Sequence, residues 1–169
     1  MNWKGKWFLD RDMVLNQTLL KIGGSCVDEA LGNFTDSRVL EFLFEYGREF
    51  STEGLECLQE TPFPDHHYFF RPNECHKNCI ELCCYLGNGG SQYAIVYGWA
   101  LSHDGIWYSH SWCIKRTELQ HIVETTRARV AYFGFVVPDS VNALSMWIVP
   151  STLGAQLEKL RSSSSSSAL

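Results

Sequence analysis

The chain has 169 residues, 45% of them hydrophobic and 14% aromatic, with a formal net charge of -5 and a pI near 5.6. That length supports one domain with a sizeable core, and an acidic balance without any basic run argues against a nucleic-acid partner. The N-terminal MNWKGKWFLDRDMVL mixes charges with aromatics and no apolar run is long enough to span a bilayer, so neither a signal peptide nor a membrane partner is expected.

In chain order, apolar residues recur at helical spacing through Met13, Val14, Leu19 and Leu20, and again through Val39, Leu40, Leu43 and Phe44, which predicts a mostly helical first seventy residues. Gly23-Gly24 breaks the first pattern, and Asp36 or Thr35 is placed to cap the second helix. The proline-rich run from 61 to 74 reads as a long ordered loop. Residues 75 to about 86 read as a buried helix, stopped by GNGG at 87 to 90. SQYAIVYGWAL and IWYSHSWCI, joined by the turn signal HDG, make a hairpin, and HIVETT and RVAYFGFVV continue the strand pattern. The segment after Pro138 reads as helical or irregular. The expected fold is α+β, with N-terminal helices packed on an antiparallel sheet. One domain spans residues 1–160, and the Ser-rich 161–169 reads as a flexible tail.

The seven cysteines, at 26, 57, 75, 79, 83, 84 and 113, make an odd count, and four crowd into ten residues where one helix would hold them. That argues against a disulfide framework and for a reducing compartment, the cytoplasm. Cys79, Cys83 and Cys84 lie deep in the helix and read as small core-filling residues. Cys75 differs: it opens the helix among the polar neighbours Asn73, Glu74, His76, Lys77 and Asn78, where unpaired amides and the helix dipole lower a thiol pKa. Strand alternation puts Tyr108, His110 and Trp112 on one face of the second hairpin strand, with Trp107, Ser109, Ser111 and Cys113 on the other. A histidine held between Tyr108 and Trp112 is fixed as a general base must be. Its bland counterpart is a core histidine bonded to a carbonyl. His66, His67, His76, His103 and His121 read as solvated. Glu124 ends a strand shortly after His110, where an antiparallel partner would bring its carboxylate to Nδ1 of the imidazole; an exposed edge carboxylate is the bland reading.

The run from Cys75 through YAIVYGWAL, HSW and IVETT resembles the core of transglutaminase-like and papain-like cysteine enzymes, in which a helix-borne Cys precedes a strand His and then a strand-end acid. The resemblance covers residues 73–137. It implies a papain-like or transglutaminase-like core with Cys75 as nucleophile, His110 as base and Glu124 as orienting acid, although that superfamily more often places Asp or Asn third. Acyl transfer on an amide- or ester-containing substrate, a protein among the candidates, would follow, as in a peptidase, amidase, deamidase or transglutaminase. The Cys75 N–H with Asn73 or Asn78 would form the oxyanion hole, and Trp112 would support His110. No cofactor motif is present, and no metal is required.

Two other classes compete. A zinc site could draw on Cys75, His76, Cys79, Cys83, Cys84, His110 and Cys113, but cysteines at i, i+4 and i+8 of one helix are not the usual zinc knuckle. A non-catalytic binding or inhibitor module would keep the fold and use aromatic surface such as HHYFF at 66–70.

Overall fold

The computed structural model describes residues 3–28, 36–58, 71–83, 92–139 and 150–166. Within them the chain is α+β: four helices, α1 (Trp3–Ile22), α2 (Ser37–Tyr46), α3 (Cys75–Glu81) and α4 (Pro150–Ser166), accompany a seven-stranded mixed sheet. The strands are β1 (Cys26–Val27), β2 (Arg48–Phe50), β3 (Glu56–Cys57), β4 (Tyr93–Leu101), β5 (Ile106–Lys115), β6 (Glu118–Glu124) and β7 (Ala131–Val136). Their order is β2-β7-β4-β5-β6-β3, with β1 alongside β5.

The expected hairpin is the centre of the sheet. β4 and β5 pair antiparallel from Tyr93↔Lys115 to Leu101↔Trp107. Their turn closes with Gly105 N–H on the Ser102 carbonyl and Ser102 N–H on the Ile106 carbonyl, and Gly105 takes φ 81, as a type I turn followed by a left-handed bulge residue requires. β6 and β7 flank the hairpin antiparallel. The expectation of a wholly antiparallel sheet is corrected at two places, because β1 joins β5 and β3 joins β6 in parallel. These strands are two residues each, too short to leave a period in the sequence.

Alternation along the strands sorts the core into two layers. One face carries Ile95, Tyr97, Trp99, Leu101, Trp107, Cys113 and Phe135 against the helices. The other carries Ala94, Val96, Ala100, Trp112, Ile114, Ile122 and Tyr132, with Phe50. α2 buries Val39, Leu40, Phe42 and Leu43 and is capped by Asp36, whose carboxylate accepts Arg38 N–H at 2.9 Å. On α1 the inward face is Leu15 and Leu19, whereas Met13, Val14 and Leu20 are exposed, a rotation of the face expected from the sequence. Cys79 and Cys83 fill the core as read, and Cys84, GNGG, residues 59–70 of the stretch expected as a loop and residues 140–149 lie outside the described residues.

The expected loose tail is also corrected. α4 runs through Ser166, burying Leu153 and Leu157, and it packs on α2 where Gly154 lies against the Asp36 carboxylate. Arg161 bonds Glu41 at 2.8 Å, and Ser162 and Ser163 hydroxyls donate to the Glu158 and Leu160 carbonyls, so packing and local bonds offset a poor helix-forming composition. No helix among the described residues is long and apolar enough to cross a membrane.

Candidate active site

Position in the sheet creates the site. On the β5 edge away from β4, β1 pairs with Ile106 and Trp107, and β6 pairs with Cys113, Ile114 and Lys115. Between them residues 108–112 have no strand partner on that edge among the described residues. Asp28 N–H donates to the Trp107 carbonyl, so the backbone groups of Trp107, and with the period of two those of Ser109 and Ser111, point to that open edge. The start of α3 fills the gap, and the Ser111 N–H donates to the Cys75 thiol rather than to a strand.

A tight turn delivers Cys75 to this position. Glu74 N–H returns to the Arg71 carbonyl at 3.3 Å, with Pro72 second in the turn and Asn73 third at φ 63, the pattern of a type II turn. Asn73 is exposed, two residues before Cys75. Asn78 is not an oxyanion donor, contrary to the expectation. It is fully buried; its carbonyl accepts Arg71 N–H at 3.1 Å, and its amide donates to the Arg71 carbonyl at 2.9 Å and the Thr125 carbonyl at 3.3 Å. Its work is to fasten the turn that presents Cys75 to the end of β6.

His110 and Glu124 meet on the face of the sheet opposite the helices. His110 Nε2 lies 2.9 Å from Glu124 Oε2, and the Cys75 thiol is close enough to the ring to favour its protonated form. The carboxylate therefore reaches Nε2, not the Nδ1 expected from the sequence, which leaves Nδ1 as the ring nitrogen for the thiol. Glu124 is fully buried and receives three further hydrogen bonds: Thr126 N–H and Thr126 O–H at 2.8 Å on Oε1, and Tyr132 O–H at 2.9 Å on Oε2. Curling back onto its own Thr126 takes up the methylene by which glutamate exceeds aspartate. Burial opposes charge on Glu124, but His110 and the Thr126 donors outweigh it and hold the carboxyl below its ordinary value.

The same balance runs through the other two members. Burial pushes His110 down, but the Glu124 charge and the Cys75 and Glu124 hydrogen bonds win, raising it to about 9. Burial pushes the Cys75 thiol up; the His110 hydrogen bond and charge and the Ser111 amide outweigh it, and the net shift is downward. Both shifts favour thiolate beside imidazolium. Cys79 and Cys113, by contrast, are pushed up by burial.

Trp112 packs beside the pair. Its indole stacks on His110 with centroids 6.2 Å apart and meets the Tyr132 ring edge-on at 5.0 Å. Gly134 gives it room: a Cβ there would sit 2.7 Å from the indole and 2.6 Å from the Tyr97 carbonyl. Sequence reasoning missed Tyr132, Thr126, Ser111 and His76. His76 is not simply solvated; its ring stacks on Tyr97 at 5.6 Å, and Nδ1 lies 2.6 Å from Ser111 Oγ. The available signal was the alternation that set Ser111 and His110 on opposite faces.

Among the described residues no three His, Cys, Asp or Glu side chains converge as metal ligands would. Compared with family models, curated proteins and solved structures, the chain matches none.

Proposed function

We propose that this chain is a thiol-dependent acyl-transfer enzyme with a papain-like or transglutaminase-like core, in which Cys75 is the nucleophile, His110 the acid and base, and Glu124 the orienting carboxylate. The observation that carries the reading is His110 Nε2 at 2.9 Å from the buried Glu124 carboxylate, with the Cys75 thiol close enough to act on the same ring. A carboxylate accepts only, so the ring proton at Nε2 is fixed on Glu124, and Nδ1 exchanges the second proton with sulfur.

In the reaction, the Cys75 thiolate attacks the carbonyl carbon of an amide or ester. Imidazolium His110 gives its Nδ1 proton to the leaving amine or alcohol, and a thioester forms on Cys75. Water or an amine, deprotonated by the now neutral His110, attacks the thioester and returns the thiol. The Cys75 backbone N–H and the exposed Asn73 amide border the place where the oxyanion develops.

The test is the pH profile of Cys75 alkylation by iodoacetamide, mapped by peptide mass analysis in the wild type and in His110→Ala. Selective labelling of Cys75 below pH 7 that slows without His110 supports the reading. Labelling no faster than at the exposed Cys26, unaffected by the substitution, overturns it.

A further inference from the structure

From the placement of His76 beside Cys75 and on the opposite face of β5 from His110, we infer that His76 is a second catalytic histidine, whose neutral Nε2–H donates to the oxyanion formed at the substrate carbonyl. The inference rests on the thiol reading above and adds a residue to it.

Ser111 locates the ring. Its backbone N–H binds the Cys75 sulfur and its hydroxyl lies 2.6 Å from His76 Nδ1, so sulfur and imidazole are both within reach of one residue. His110 packs against Trp112 and Tyr132 on one sheet face, and His76 stacks on Tyr97 on the other. The sulfur at the strand edge therefore has an imidazole on each side. A carbonyl attacked there can turn its leaving group to His110 and its oxygen to His76.

The proton on His76 follows from satisfaction of Ser111. That residue is fully buried, and the only side-chain partner its hydroxyl has among the described residues is His76 Nδ1. A buried hydroxyl gives its proton to the acceptor available, so Nδ1 accepts and Nε2 carries the hydrogen. Burial, followed by the charge of His110, lowers His76 to about 4, which keeps the ring neutral at physiological pH. Nε2 has no partner among the described residues and is not one of the buried orphan atoms, so its N–H is presented at the half-buried surface of the site. A neutral imidazole is a suitable oxyanion donor because it polarises the oxygen without surrendering its proton.

The step balances within the residues present. Sulfur donates its electron pair to the carbonyl carbon, the carbonyl π pair moves to oxygen, and the Nε2–H bonds that oxygen. The pair then returns, expelling the leaving group and leaving an acyl group on Cys75.

Two reactions of Cys75 separate this role from a structural one. Alkylation by iodoacetamide passes through no oxyanion, whereas acetylation by p-nitrophenyl acetate does. His76→Phe keeps the ring stacked on Tyr97 and removes the N–H. It is expected to leave Cys75 alkylation within about twofold of wild type and to slow acetylation by roughly a hundredfold, the usual cost of one oxyanion donor. Ser111→Ala frees the tautomer but keeps the backbone N–H, and is expected to give a smaller selective loss. Equal loss of both reactions, or loss of neither, overturns the inference, as does a folded Ser111→Ala with unchanged acetylation should His76→Phe fail to fold. The thiol reading itself is judged on the wild type and His110→Ala, so the two fail separately.

Discussion

Replacing Glu124 by glutamine tests the central claim by turning one accepting oxygen into a donating NH₂ with almost no change of volume. Glu124 accepts from four donors: Thr126 N–H and O–H on Oε1, and Tyr132 O–H and His110 Nε2 on Oε2. A glutamine has one accepting oxygen, and the Thr126 backbone N–H cannot reverse its role, so the oxygen is held there and the amide NH₂ turns to Tyr132 and His110. His110 must then accept at Nε2 and carry its proton on Nδ1, the nitrogen meant to take the thiol proton. The Glu124 charge, the largest of the influences raising His110 to about 9, is lost as well. A return from about 9 to the ordinary 6.5 removes on the order of 3 kcal/mol of preference for the ion pair, or about a hundredfold. Cys75 alkylation at pH 7 is therefore expected to fall about a hundredfold in Glu124→Gln, with its midpoint moving to higher pH. The assay is the iodoacetamide rate against pH, with circular dichroism to confirm the fold. An unchanged pH profile in a folded variant refutes the reasoning, because it would mean that Glu124 does not control the imidazole.

Other consequences are open to simple measurement. Gly134→Ala drives a Cβ into the Tyr97 carbonyl and the Trp112 indole, so it is expected to cost about 1–3 kcal/mol in urea unfolding and to slow Cys75 alkylation by tilting His110; unaltered reactivity would dissociate Trp112 from the site. Asn78→Ala takes the acceptor from the Arg71 N–H and a donor from the Arg71 and Thr125 carbonyls and is expected to cost about 1–3 kcal/mol by denaturant titration, where a loss below about 0.5 would contradict the fastening role. Asp36→Ala removes the α2 cap and is expected to cost about 1 kcal/mol, read as a lower Tm. Stability against pH carries a sign that separates the ion pair from its members. Raised His110 contributes stability present below pH 6.5 and lost as pH rises through about 9, while lowered Cys75 contributes stability that grows as pH rises toward its ordinary thiol value. The two slopes oppose each other in the wild type, whose stability should therefore vary less with pH than that of a variant keeping only one of the two groups. Cys75→Ala removes the opposing slope and leaves Glu124 to raise His110, so its stability should fall as pH rises above 6.5, by up to about 1.4 kcal/mol per pH unit. A flat Cys75→Ala curve would show that His110 is not charged in the folded protein.

Much of the site was legible because its parts sit at fixed places in strongly patterned elements. The alternation in IWYSHSWCI placed His110 and Trp112 on one face, and the polar start of the helix after Pro72 marked Cys75. What escaped depends on register and on long-range packing. Whether Glu124 meets Nδ1 or Nε2 is settled by the diagonal offset between β5 and β6, which no local pattern encodes. The role of Asn78 depends on Arg71 and Thr125, brought together by a turn and a strand end. α4 was missed because the run of six serines at 162–167 has weak helix propensity; the helix is held by Leu153 and Leu157 against α2 and by Arg161 on Glu41. Tyr132 was readable as a core aromatic, but only the fold brings its hydroxyl to Glu124.

The least legible elements are also the ones that make the site possible. β5 is a central strand, and an ordinary neighbour on its second edge would consume the Ser109 and Ser111 backbone groups in a ladder. Instead β1 ends after Val27, and β6 makes its last pairing with β5 at Val123↔Cys113. Between those limits the strand keeps a rigid, buried backbone with an amide at Ser111 that no strand takes up. A sulfur placed there is fixed by the sheet without being enclosed by it. The small residues across the hairpin complete the arrangement: Ala94, Val96, Gly98 and Ala100 on β4, with Gly134 on β7, form a shallow bed on which Trp112 lies and against which His110 is held. Short flanking strands and a row of small side chains, each a weakness for sheet stability taken alone, together position the thiol and its imidazole.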